Sequence, residues 1–334
     1  MLIGFLLVAG MTALLTTATV PYVQLEPGPT YDTLGQDDDK RDVIEITGAD
    51  TSTSEGELRF VTVGVQPRLT LLEALVGWWR DEDAVVPREL VYPPDQTEEQ
   101  VEERNAEDFA NSQSAAEIAA MDYLDKPMVV KVDVVPDDSP ANGKLLPEDV
   151  IISIDGVPIT SDDQLLELIR SKPVGSTVSM GITRSGTPQT VSVTTFAGED
   201  GASRIGFRPK IGWDPIVLDI PIEGIGGPSA GLMLSLGIID KLDPQDLTGG
   251  HVIAGTGTID RAGAVGEIGG VPQKLVGAKE AGATYFLTPR GNCAEAVANA
   301  PAGLTLVQVS TLPEAISALA AIRSGDQPTL CPGA

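Results

Sequence analysis

Basic side chains are scarce in this chain: 22 lysines and arginines stand against 48 aspartates and glutamates over 334 residues, a formal net charge of -26. A surface of that sign repels phosphate backbones and anionic headgroups, so nucleic-acid binding is set aside as a function class. Histidine occurs once, at His251, and cysteine twice, at Cys293 and Cys331. No G-x-x-x-x-G-K-[ST] run occurs anywhere, which removes the usual nucleotide phosphate loop, and neither a metal nor a cofactor is expected. Hydrophobic residues make up 42% of the chain, a normal globular share, and the length allows two or three domains with their own cores.

From Leu2 to Leu25 no residue is charged, and the first acid is Glu26. The apolar part is long enough to cross a hydrocarbon core as a helix. A cleaved signal peptide has a basic start and a shorter apolar stretch of about 7–15 residues, and only the small residues around Ala18 fit that alternative. The sequence therefore predicts a transmembrane signal anchor over residues 1–24, with the bulk of the chain extracytoplasmic in the cell envelope. In such a compartment a Cys293–Cys331 disulfide can persist and would pin the tail, residues 326–334, to the last domain. Two unpaired thiols are the other reading, and the sequence leaves both open.

Residues 25–125 read as an N-terminal strand and helix region. A linker rich in proline, glycine and aspartate leads to two strand-like runs, "VIEITGA" and "LRFVTVGV", and then a short helix. The stretch "TEEQVEERNAEDFANSQSAAEIAAMDYL" predicts a helix opened by a threonine cap, with acids in its first turn where the helix dipole favours them.

Residues 126–198 change character. The strands "PMVVKVDVV" and "IISIDGVPI", the capped helix "SDDQLLELIRSK" and a hairpin around "SGTP" follow in order. This stretch resembles a PDZ domain of the bacterial protease-associated kind, with "SPANGKLLPEDVIISIDGVPI" carrying most of the likeness. The resemblance implies a groove that takes a peptide as an added strand, placed along Met128, Val129 and Val130. The glycine usual in the preceding loop, where PDZ domains catch a terminal carboxylate, is absent from "DKPMVVKV".

In residues 199–325 the decisive string is "EGIGGPSAGLMLSLGIIDKL". Ser229 sits at the head of an apolar helical run from Ser229 to Leu242, where unpaired N–H groups and the positive dipole end favour a developing negative charge. Four readings compete: a helix cap, a hydrolase elbow, a phosphate cradle in a small-molecule kinase, and a serine activated by lysine. The elbow needs an acid and then a histidine downstream. His251 follows Ser229 by only 22 positions (251 minus 229), too few for the intervening elements, so His251 reads as structural. Two glycines before Pro228 weaken the cap, because they let another chain or a substrate approach the backbone closely.

A lysine base needs an environment that disfavours its charge. Of Lys210, Lys241, Lys274 and Lys279, Lys241 lies at the far end of the same helix, roughly 18 Å from Ser229. Lys279 falls in the last turns of the helix begun by "GGVPQKLVGAKEAGA", where a cation is at ease. Lys274 falls in its first turn, where the dipole pushes the amine towards neutrality.

The strings "GGPSAGLMLSLGIIDKL" and "TGTIDRAGAVGEIGGVPQKLVGAKEAGATYFLTP" resemble the proteolytic domain of the Lon family, at 45 positions between Ser229 and Lys274 (274 minus 229). The resemblance implies Ser229 as nucleophile, Lys274 as base, Thr256 as the hydroxyl that helps hold the lysine, and Gly227 as a supporting position. It also implies an α+β multidomain fold with a Lon-type α/β proteolytic domain, a polypeptide substrate and a ring of six copies. The chain departs from full-length Lon in having no ATPase module, and Thr258 stands where Lon enzymes tend to have an acid. The expected function is an ATP-independent serine endopeptidase acting on unfolded or exposed segments of envelope or secreted proteins. The alternative is an inactive membrane-tethered PDZ scaffold.

Overall fold

The computed structural model describes residues 2–37, 39–80 and 82–334. In chain order it runs α1 (Leu2–Thr17), β1 (Tyr22–Asp32), β2 (Glu57–Gln66), α2 (Leu71–Gly77), β3 (Ala84–Pro87) and α3 (Glu98–Tyr123). It continues with β4 (Val129–Val134), β5 (Val150–Ile154), α4 (Asp162–Arg170), β6 (Thr177–Arg184), β7 (Thr187–Thr194) and β8 (Arg208–Gly212). The last stretch is α5 (Gly231–Leu242), β9 (Val252–Gly255), α6 (Val271–Glu280), β10 (Tyr285–Pro289), α7 (Cys293–Asn299), β11 (Thr305–Val309) and α8 (Leu312–Ser324).

These elements form two compact units. The first comprises Met1–Glu45, Asp50–Tyr123 and Leu218–Ala334, and the second Ile46–Ala49 with Leu124–Val217. The stretch expected as a separate region, 25–125, thus shares a unit with the C-terminal part. Its strands supply half of one sheet, in the order β11-β10-β9-β2-β1-β3. From β11 to β2 the neighbours are parallel, and β1 runs antiparallel to both β2 and β3. The parallel strands are apolar nearly throughout because helices cover them. Phe286, Ala254, Leu275, Ala278, Leu306 and Val61 are among the side chains buried there.

Of the anchor expected over residues 1–24, Leu2–Thr17 is helical; Met1 lies outside the described residues. Helix α1 ends at Thr17 after 16 residues, about 24 Å at 1.5 Å per residue, where a hydrocarbon core needs about 30 Å. Among the described residues no helix is long and apolar enough to cross a membrane. Beyond Thr17 the uncharged run holds β-branched residues and Pro21, which disfavour helix, and Tyr22 to Leu25 pair with Ala84 to Pro87 instead.

The second unit is an antiparallel sheet in the order β7-β6-β5-β4-β8, crossed by α4. Ser161 caps α4 by accepting from Gln164 N–H at 3.1 Å, and Leu165 and Ile169 face a core with Val130, Val132, Ile154 and Met180. The strand "IGFRPKI", which lies inside the 199–325 span expected as the last domain, belongs to this sheet as β8.

Candidate active site

Ser229 lies in a turn two residues ahead of α5, whose cap position is Ala230 and carries no side-chain cap. The serine is therefore outside the helix it was expected to open. Its carbonyl accepts from Gly257 N–H at 2.9 Å and from Thr256 Oγ1 at 3.1 Å. That ties the turn to the end of β9.

Helix α6 begins after Gly270, with Pro272 in its first turn. A missing N–H costs nothing there. Lys274 is 4% exposed, and its Nζ reaches Ser229 Oγ at 2.9 Å and Thr256 Oγ1 at 3.3 Å. Burial pushes the Lys274 amine down to about 8. A buried ammonium without an anionic partner loses hydration that two hydroxyls replace only in part.

The rival lysines are held elsewhere. Lys241 Nζ donates to Ile44 O at 2.9 Å, Lys279 Nζ to Gly303 O at 3.1 Å, and Lys210 is bonded to Glu148. The His251 ring packs edge-on against Tyr285 at 5.4 Å.

Ser229 and Lys274 line a cavity of about 690 Å³, together with Val61 to Val65 of β2, Gly224 to Pro228, Thr258 and Glu267 to Gly270. β9 pairs with β2 only from Glu57 to Phe60, whereas β1 follows β2 to Gln66 on the other side. Past Phe60 the β9-side edge of β2 has no strand partner among the described residues. It offers backbone groups to an extended chain.

Gly227 also lines the cavity, but its N–H donates to Asn105 O of α3 at 2.8 Å. It is engaged away from any substrate carbonyl. Helix α3 was missed as a neighbour of this site. Gly226 and Gly231 were the signal, since a Cβ at the first would meet Asn105 of α3 and one at the second Ser112 of α3.

The peptide groove expected along Met128, Val129 and Val130 is corrected. Val129 faces Gly212 and Val130 faces Ile211 of β8, while Ile151 of β5 pairs with Val130 from the other side. Strand β4 has no open edge. The outer strand is β8, and a cleft of about 460 Å³ lies between α4 and residues 203–209, lined by Leu165, Ile169, Phe196, Ile205 and Phe207 among others. Gly206 there has a φ of +88°, so the glycine missing before β4 stands before β8.

The Cys293 and Cys331 sulfurs are bonded to each other. The bond fastens the C-terminal tail to the start of α7.

Residues 219–320 match the family model of the Lon protease (S16) C-terminal proteolytic domain, and residues 101–195 match the PDZ domain model. Among solved structures, the PDZ domain of an SdrC-like protein from Listeria monocytogenes is 30% identical, over 24% of this chain and 85% of its own, with a TM-score of 0.23. The PDZ domain of an SdrC-like protein from Listeria innocua is 32% identical, over 24% of this chain and 92% of its own, at a TM-score of 0.24. No curated protein matches the chain.

Proposed function

From the premise that this chain is a PDZ-containing Lon-like protease, we propose an ATP-independent serine endopeptidase with Ser229 as nucleophile and Lys274 as general base. The observation that carries the reading is the 2.9 Å contact between Lys274 Nζ and Ser229 Oγ inside a cavity.

Neutral Lys274 takes the Ser229 hydroxyl proton as Oγ attacks the peptide carbonyl. The carbonyl oxygen becomes an oxyanion held by backbone N–H groups of the turn. On collapse the C–N bond breaks and the Lys274 ammonium gives its proton to the leaving amine. Water then attacks the acyl carbon while Lys274 takes one of its protons; on collapse the acyl C–Oγ bond breaks, the Lys274 ammonium returns the proton to Ser229 Oγ, and the acid product leaves. Thr256 orients the amine and, through the Ser229 carbonyl, the backbone of the nucleophile.

The open edge of β2 supports an extended substrate, docked by strand addition. A strand already paired inside a folded core is not free to dock there, so unfolded segments, exposed loops and tails are the proposed class. The apolar cleft beside β8 supports a second peptide site that brings substrates or regulators to the enzyme. The Cys293–Cys331 bond supports an oxidising, extracytoplasmic compartment, with envelope or secreted proteins as substrates.

The test is incubation with a fluorophosphonate probe and an unfolded casein substrate. Wild type is expected to label at Ser229 and to cut, while Ser229→Ala and Lys274→Ala lose cleavage by at least about 1000-fold. Variants that cut as fast as wild type would end the proposal. Peptide binding at the β8 cleft with no labelling at all would leave a binding scaffold.

A further inference from the structure

Each peptide plane flanking Ser229 is held by a hydroxyl from a distant part of the chain. On the far side Thr256 Oγ1 donates to Ser229 O at 3.1 Å. On the near side Ser112 Oγ, on α3, donates to Pro228 O at 2.9 Å. Ser112 is 4% exposed, so its hydroxyl is shielded from competing water.

The direction of that second bond matters. The Pro228–Ser229 peptide is trans, and in a planar trans peptide the C=O and N–H point to opposite sides. Fixing Pro228 O against α3 therefore aims the Ser229 N–H away from α3, and no α3 residue lines the cavity to which Pro228, Ser229 and Ala230 contribute. No acceptor among the described residues takes that N–H. The alternative donor two residues earlier, Gly227 N–H, is already engaged by Asn105 O at 2.8 Å.

The sequence around the turn is fitted to this arrangement. A Cβ on Gly226 would stand 2.7 Å from Asn105 Cβ, and one on Gly231 would stand 2.7 Å from Ser112 Oγ. Side chains at either position would push α3 off the turn and break the bond to Pro228.

Resting on the endopeptidase reading above, we infer that Ser112 is a positioning residue, which turns the Ser229 N–H into the oxyanion donor of the site. Thr256 and Ser112 then divide the work: one fixes the plane after the nucleophile, the other the plane before it.

The experiment compares the full chain with its Ser112→Ala and Ser112→Thr variants on an unfolded peptide substrate and on a peptide boronate, whose tetrahedral adduct places an oxygen where the oxyanion forms. For Ser112→Ala, kcat and boronate affinity are expected to fall together by about 10–100-fold, short of the roughly 100–1000-fold for deleting a donor outright. KM and the pH midpoint stay unchanged, and Ser112→Thr, which keeps the hydroxyl, recovers part of the loss. An unchanged kcat, or a loss carried by KM or by a moved pH midpoint, overturns the inference. A crystal structure of Ser112→Ala gives a readout independent of turnover: a rotated Pro228–Ser229 plane upholds it, and an unmoved plane overturns it. A wild type that neither cuts nor binds the boronate would end the endopeptidase reading, while a rotated plane would still identify Ser112 as the residue aiming that N–H.

Discussion

Lys274 is a cation placed where both burial and the helix dipole oppose its charge, with two hydroxyls for company. Its amine is held down at about 8, against 10.5 for a free lysine. Between those values the unfolded chain binds more protons than the folded one, so folding stability rises with pH across that window. Activity has the same sign, because the neutral amine is the base. Cleavage at substrate well below KM, which reports kcat/KM, is expected to climb about tenfold per pH unit below pH 8 and to level off above it, as a pH–rate profile measures. Replacing the amine by a hydrocarbon of similar length removes the burial penalty together with the chemistry. Lys274→Met is therefore expected to be inactive yet more stable by about 0.5–2 kcal/mol at pH 7 in urea denaturation. A less stable variant would mean that the bonds to Ser229 and Thr256 outweigh the lost hydration.

At the scale of elements, α3 holds the chain on both sides of the nucleophile. Gln113 Nε2 donates to Ile220 O at 3.1 Å, and Ala116 O accepts from Ser235 Oγ of α5 at 3.2 Å. One position on this helix works against the docking. Glu117 is pushed up to about 7 by burial first and by the Asp219 carboxylate second. Its folded value lies above the unfolded 4.5, so its contribution is intact below pH 4.5 and is lost as the pH rises through 7. Glu117→Gln is expected to raise stability by about 1–2 kcal/mol at pH 8 and to change nothing at pH 4.5, as thermal melts at the two values record. An equal shift at both would place the effect in packing rather than in charge. The sequence shows α3 plainly as a helix through its Thr97 cap and acidic first turn, and it shows Ser229 and Lys274 through motif and dipole. It does not show that Ser112 faces Pro228, because contacts between segments over a hundred residues apart leave no local periodicity. The same limit explains β4. Its own pattern marks a strand, but whether its edge is open depends on β8, about 80 residues later. At the N-terminus, hydropathy ran on to Leu25 while β-branching and Pro21 had already handed the chain to a strand.

At the scale of the molecule, most of the second unit, Leu124–Val217, is one segment inserted into the first, and Ile46–Ala49 joins it from the N-terminal part. The chain leaves at Tyr123, the end of α3, and returns at Leu218, just before the segment that α3 grips. Glu117 senses Asp219, and Tyr123 lies six residues beyond Glu117, about 9 Å along the helix. A flexible linker of eight glycines and serines has a root-mean-square span of about 16 Å. It is long enough to join the two ends without the insert. Replacing residues 124–217 by such a linker is expected to leave a soluble protein that melts cooperatively and still labels at Ser229. The half-sheet from β1, β2 and β3, the α3 clamp and the Cys293–Cys331 bond all remain in it. Cleavage of short unfolded peptides should then survive, while binding at the β8 cleft is lost. An unfolded product would mean that the catalytic turn needs the insert for its shape. In that case peptide binding at the cleft and cleavage at Ser229 would be coupled through the chain crossings between the units, and mutations in either unit would change both activities.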